Sequence, residues 1–145
     1  MSEQNENLTP LQRKLIKFYH QNTVIDYLKA DVVPDEEGGV GLELTVAKEH
    51  TNLYGICHGG TILTLADTVM GAVCLAAGKK VVTLDMNVGF FKPVPLGTHI
   101  KVTGKILHGG RRTVALESEV IDSAGQMFAK IQATFFVIGE AGEDD

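Results

Sequence analysis

The chain has 145 residues, 44% of them hydrophobic, with 13 Lys and Arg against 18 Asp and Glu for a net charge of −5. A compact domain of this length buries about two thirds of the surface its unfolded chain exposes, so it needs neither a disulfide framework nor a structural metal, and the two cysteines are expected to be thiols in a reducing cytoplasm. An isoelectric point near 5.5 without clustered Lys and Arg excludes a nucleic-acid surface, and no run of 18 uncharged apolar residues is present to span a membrane.

Residues 1–8 are polar and have the layout of neither a signal nor a transit peptide, so they read as a flexible N-terminus. Residues 9–138 read as a single domain, and 139–145, with Glu140, Glu143, Asp144 and Asp145, as an acidic tail. Thr9, Pro10 and Gln12 form a capping box that opens a helix from Pro10 to Gln21, with Leu11, Leu15, Phe18 and Tyr19 on one stripe packing against the body. The β-branched and aromatic content of Thr23 to Val33 favours extended structure in two pieces. After a loop from Pro34 to Gly39, Val40, Leu42, Leu44 and Val46 alternate with smaller or polar residues as a half-buried strand does.

Thr61 to Ala77 is apolar around almost its whole circumference, which predicts a helix buried on most sides, opened by Gly59-Gly60 and closed by Gly78. Strands follow over Val81 to Phe91, His99 to His108, Arg111 to Ile121 and Gln126 to Ile138. They are separated by Pro93 and Pro95, a Gly109-Gly110 hairpin and a turn at Asp122 to Gly125. An antiparallel meander around one buried helix is an α+β fold.

Asp67 lies in the middle of that apolar helix, where an unpaired charge costs several kcal/mol. Either it reaches the surface or bonds a nearby Thr, or it is a carboxylate base or nucleophile at a cleft. Gly59-Gly60 admits two readings as well: a tight turn needing positive φ, or a helix N-terminus whose N–H groups a ligand oxyanion can approach. Cys57-His58 is not expected to be a nucleophilic pair, because adjacent residues rarely aim at each other and no third group orients them. His20, His50, His99 and His108 are scattered without zinc-ligand spacing, so no metal is expected.

Asn52, His58-Gly59-Gly60, Asp67 within Leu63-Thr64-Leu65-Ala66-Asp67, Asp85-Met86-Asn87 and Pro93 together resemble the PaaI-like branch of the hotdog-fold acyl-CoA thioesterases, over about Glu43 to Phe136. The resemblance implies a hotdog fold, in which a curved antiparallel sheet wraps a long central helix. It also implies homodimers or dimers of dimers with active sites between subunits, acting on an acyl-CoA with no separate cofactor. In that scheme Asp67 activates water or attacks the thioester, and Gly59, helped by Gly60, polarises the carbonyl from the other subunit. Asn52 positions water or substrate, Thr83 is a polar site residue, and His58 plays a supporting part. Phe91, Lys92, Pro93, Arg111 and Arg112 border the coenzyme A channel. The rival readings are an acyl-CoA-binding sensor without catalysis and a hotdog dehydratase or hydratase; the latter needs a His and acid pair at a spacing that is absent.

Overall fold

A computed structural model describes residues 8–35 and 39–141. The expected flexible N-terminus ahead of Leu8, the middle of the Pro34 to Gly39 loop and the end of the acidic tail lie outside these residues. Helix α1, Pro10–Tyr19, starts as its capping box requires: Thr9 Oγ1 accepts the Gln12 N–H at 3.1 Å, and Gln12 Oε1 accepts the Thr9 N–H at 3.0 Å. Its buried side differs from the expected stripe, because Gln12 and Leu15 are covered while Leu11 and Phe18 remain exposed. The Gln12 amide donates to the carbonyls of Asp35 and Gly39, at 3.1 and 3.0 Å, and so ties α1 to the loop.

The first half of the stretch expected to be extended is instead a helix, α2, Thr23–Leu28. Asn22 Oδ1 caps it by accepting the Val24 N–H, Ile25 is fully buried beneath it, and Lys29 ends it in the left-handed region at φ 59°. A good cap and one anchored side chain outweigh the few tenths of a kcal/mol per residue by which β-branched residues disfavour helix. The second half is strand β1, Asp31–Pro34.

The other strands are β2 Val40–Thr45, β3 Lys79–Phe90, β4 His99–Gly109, β5 Thr113–Asp122 and β6 Met127–Glu140. All neighbours pair antiparallel in one sheet of order β1-β2-β4-β5-β6-β3. Strand β6 takes in the first two residues of the expected tail, with Glu140 opposite Lys79. Period-2 alternation gives the sheet its inner face: Val114, Leu116 and Val120 of β5 and Ala129, Ile131, Ala133 and Phe135 of β6 are buried.

That face receives the long central helix α3, Gly59–Ala76, through Ile62, Leu65, Ala66, Val69 and Met70. Gly104 of β4 marks a close approach, since a Cβ there would lie 3.0 Å from Val69 Cγ1 and 3.1 Å from Val73 Cγ2. Helix α3 ends as expected, with Gly78 at φ 86°. By length and a mean hydropathy of 1.5 it is apolar enough to cross a bilayer. Here its apolar side is spent on the sheet instead.

Candidate active site

The segment entering α3 is held in shape by its own polar groups. Asn52 Oδ1 accepts the N–H groups of Tyr54 and Ile56, at 2.9 and 3.2 Å, and Gly55 turns the chain at φ 73°. The side-chain oxygen of Asn52, a residue that the resemblance gives the positioning of water or substrate, is thus committed to the loop. His50, only 1% exposed, anchors the other side. Its Nδ1 accepts the Ala47 N–H at 2.9 Å, which makes Nε2–H the donor to the Leu28 carbonyl at 2.6 Å, and its own carbonyl accepts the His58 N–H at 2.8 Å.

The loop delivers two backbone donors to the mouth of α3. His58 is exposed and stands at the cap position without a side-chain cap. Its carbonyl takes the N–H groups of Thr61 and Ile62, whereas among the described residues nothing accepts those of Gly59 and Gly60. Neither glycine has positive φ, so of the two readings of Gly59-Gly60 the tight turn is set aside. Gly59 is instead a close approach: a Cβ there would lie 3.0 Å from Phe90 Cζ. In front of it opens a cavity of about 370 Å³ lined by Cys57, Gly59, Ile62, Phe90, Phe91, Lys92 and Pro93. Burial pushes the Cys57 thiol up to about 11, so at neutral pH it is a protonated wall rather than a nucleophile.

Asp67 is half-buried and accepts a hydrogen bond from Thr83 Oγ1. Its carboxylate is therefore hydrogen-bonded to Thr83, exposed on β3, and not isolated as the apolar helix suggests. In one chain Asp67 and Gly59 do not converge. Eight residues of helix separate them by about 12 Å along the axis, too far for both to touch a single carbonyl. Arg111 and Arg112 are also distant. They sit exposed in the β4–β5 turn beside Lys79, whose ammonium donates to the Gly110 carbonyl at 2.9 Å. Lys79 begins β3, whereas Phe90, at the Gly59 cavity, ends it. Lys92 and the two arginines thus lie at opposite ends of the chain's sheet. Among the described residues no group of His, Cys, Asp and Glu is arranged to hold a metal ion.

The helix opens at the two glycines as the sequence implied, and Thr83, named from the resemblance, bonds Asp67; His50 as the anchor of the loop and Ile62 as a cavity wall were not read from the sequence. A lone histidine in a loop gives no periodic signal, and Ile62 is one apolar residue among many on α3.

Comparison with known proteins agrees with this geometry. The Thioesterase superfamily matches residues 54–129. Human acyl-coenzyme A thioesterase 13 is 32% identical over 105 residues, 70% of this chain and 75% of that protein. A Streptococcus mutans protein solved bound to acetyl CoA superposes with a TM-score of 0.73 at 34% identity, over 78% of this chain and 91% of that one. The Escherichia coli PaaI protein, from the phenylacetic acid degradation operon, shares the fold with a TM-score of 0.80 at 24% identity, over 90% and 97%. With its long helix under an antiparallel sheet, two acceptor-free N–H groups at the helix mouth and a carboxylate held by the edge strand, the chain belongs to the thioesterase superfamily and has the hotdog fold.

Proposed function

We propose that this protein hydrolyses acyl-CoA thioesters to a free acid and coenzyme A. The observation that carries the reading is the acceptor-free N–H group of Gly59, a residue that lines an apolar cavity at the N-terminus of α3, with the acceptor-free N–H of Gly60 next to it in the chain. Donors so placed stabilise the negative charge that develops on a thioester carbonyl when it is attacked. A sensor that only bound acyl-CoA would have no use for a carboxylate fixed on one oxygen by Thr83.

The carboxylate that serves a given carbonyl comes from a second copy of the chain. Strand β3 is a 12-residue edge strand with Val82 and Leu84 exposed, the kind of edge that pairs with another. A bulge between Thr83 and Asp85 keeps both Thr83 and Phe90 on the helix-facing side. Antiparallel pairing of two β3 strands about a two-fold axis near Met86 and Asn87 brings Thr83 of one copy to Phe90 of the other. Asp67 then stands beside the other copy's Gly59, which Phe90 touches.

In this arrangement water adds to the thioester carbon while Asp67 takes its proton through the oxygen that Thr83 leaves open. The tetrahedral intermediate collapses with cleavage of the C–S bond, and the thiolate leaves with a proton as coenzyme A. Lys92 and Pro93 flank the coenzyme arm, and Arg111 and Arg112, remote within their own chain, serve its phosphates in a neighbouring copy. Two copies make one complete pair of sites, and the assembly is a dimer or a dimer of dimers.

Steady-state assay of a panel of acyl-CoAs with a thiol reagent tests the activity, and Asp67→Asn tests the base. Asparagine still accepts the Thr83 bond but cannot take a proton, so kcat should fall at least about a hundredfold with the fold intact. Wild-type turnover by the folded variant would remove Asp67 from the mechanism.

A further inference from the structure

The N–H groups of Gly59 and Gly60 are presented by a helix mouth that no side-chain cap holds in place. A short hairpin holds it instead. His50, Thr51 and Asn52 form the first arm and Ile56, Cys57 and His58 the second. The arms are joined by the Asn52 N–H to the Ile56 carbonyl at 2.8 Å, by a bridge between Thr51 and Cys57, and by the His58 N–H to the His50 carbonyl at 2.8 Å. The second arm is tied to the body where the Cys57 N–H donates to the Val94 carbonyl at 2.8 Å. The last bond of the hairpin therefore stands one residue before Gly59, and the His50 carbonyl sets where the helix begins.

The first arm hangs on the His50 ring, whose two nitrogens are both engaged. The bond from the Ala47 N–H to Nδ1 is local and closes the 3₁₀ turn Lys48–His50. The bond from Nε2–H is of another kind. It spans 22 residues to the carbonyl of Leu28, the last residue of α2, which has no partner within its own helix. Stability alone gives little reason for a buried imidazole here, because each of its bonds replaces one to water and an apolar side chain of the same shape would serve nearly as well. What a ring bonded at both nitrogens adds is a fixed distance and angle, which apolar contact does not supply.

We propose that His50 is the positioning residue of the oxyanion-binding donors. Its ring fixes the first arm against the end of α2, its carbonyl passes that placement to His58, and the Gly59 N–H is thereby held where the thioester oxygen gains charge. The inference rests on the thioesterase reading above. His50 is 1% exposed and does not line the cavity at Gly59, so it touches no substrate. Its loss should act on the transition state and spare substrate binding, because the donors it places act on charge that develops only during attack.

The test measures kcat and KM in wild type, His50→Ala, His50→Asn, His50→Gln and Gln12→Ala, each checked by circular dichroism, melting and sedimentation. Gln12 is the control. It too is a buried side chain that donates to distant carbonyls, those of Asp35 and Gly39, but it belongs to the opposite end of α3, where Leu11, Asp35 and Gly39 border a cavity with Ala76 and Ala77. Glutamine at position 50 can set an amide N–H where Nε2–H stands and keep the bond to Leu28, whereas asparagine offers an acceptor near Nδ1 and is too short for Leu28. His50→Ala and His50→Asn should lower kcat about 10²-fold, the scale of a displacement of about 1 Å at reacting groups. KM should stay within about threefold, and His50→Gln should return kcat to within about tenfold of wild type. Gln12→Ala should melt earlier with kcat unchanged. Two unreactive ligands complete the comparison. An S-alkyl-CoA, which has no carbonyl, should bind wild type and His50→Asn alike, and the trifluoromethyl ketone analogue of acetyl-CoA, whose hydrate resembles the tetrahedral intermediate, should lose affinity by the factor lost in kcat/KM.

Near-normal kcat in folded His50→Ala or His50→Asn, an equal fall in Gln12→Ala, or equal losses of affinity for the two ligands would overturn the assignment. Should the alanine variant fail to fold, the contrast between asparagine and glutamine carries the test, and equal kcat in those two would overturn it as well. Absence of turnover by wild type on a panel of acyl-CoAs would overturn the thioesterase reading itself, and this one with it.

Discussion

The cost of a side chain at Gly59 is set by Phe90 and not by the backbone, because the glycine is helical and its missing Cβ is what lets the ring lie close. Gly59→Val should lower kcat by about 10²- to 10³-fold by holding the carbonyl away from its donors. The double variant Gly59→Val/Phe90→Ala separates the two consequences: it relieves the collision but leaves the valine in front of the N–H groups. Thermal melting should recover and turnover should not; recovery of both would assign the glycine to packing alone. The two thiols respond to pH in a definite sense. Burial pushes Cys57 and Cys74 up to about 11 from an ordinary 9.0. The folded state therefore keeps their protons where the unfolded state has lost them, so their contribution to stability is complete below about pH 9 and is lost as pH rises toward 11. At pH 8 the folded-state thiols are therefore held protonated. Iodoacetamide should therefore label the native chain far more slowly than the chain in denaturant, and equal rates would contradict the burial.

Between elements, one close contact is that of α3 with β4 at Gly104. Both valines that a Cβ would meet belong to α3, and Val69, only 1% exposed, has little room to swing aside. Gly104→Ala should cost about 1–3 kcal/mol in denaturant unfolding, the usual penalty for overpacking; no shift in midpoint would mean that the helix slides freely on the sheet. Elements with a strong local signature were legible in the sequence. The capping box of α1, the span of α3, the alternation in β2 and the turns at Gly78 and Gly125 appear where the residues say they should, although fewer than half of the residues of α3 are buried. Helix α2 was not legible, because its stability comes from an Asn22 cap and from burial of Ile25, and neither shows in the propensities of Val, Ile and Tyr. At the site, the helix mouth could be read from two glycines before an apolar run. That Asp67 bonds a Thr was one of its readings, but Thr83 as that partner could not be read from the residues, because it depends on how far β3 is carried past α3 and on a bulge that no residue announces. The remoteness of Arg111 and Arg112 from Lys92 was hidden for the same reason: proximity in a meander depends on strand length and register, which a turn signal does not report.

The whole molecule is incomplete as a single chain if each site draws on two copies, and mixing tests this directly. Asp67→Ala and Gly59→Val, each inactive alone, place their lesions in different halves of the shared site. After subunit exchange in equal amounts, half of the dimers are mixed and each holds one site with both lesions and one with neither, so activity should return to about a quarter of wild type. No recovery in verified heterodimers would put both groups on the same chain's site. Sedimentation of the wild type at micromolar concentration should give at least a dimer mass. The strand order has a further consequence for how such a chain comes to exist in a cell. Strand β6 follows all the other strands in the chain, yet it lies between β5 and β3 and, among the described residues, is the only strand of its own chain to which β3 is hydrogen-bonded. A nascent chain leaving the ribosome N-terminus first thus carries the apolar α3 and the long β3 without their cover until β6 has emerged. Closing of the sheet waits for that strand, and a chain truncated a few residues into β6 would yield neither a weakened enzyme nor a smaller domain, but a sheet that has no means of closing.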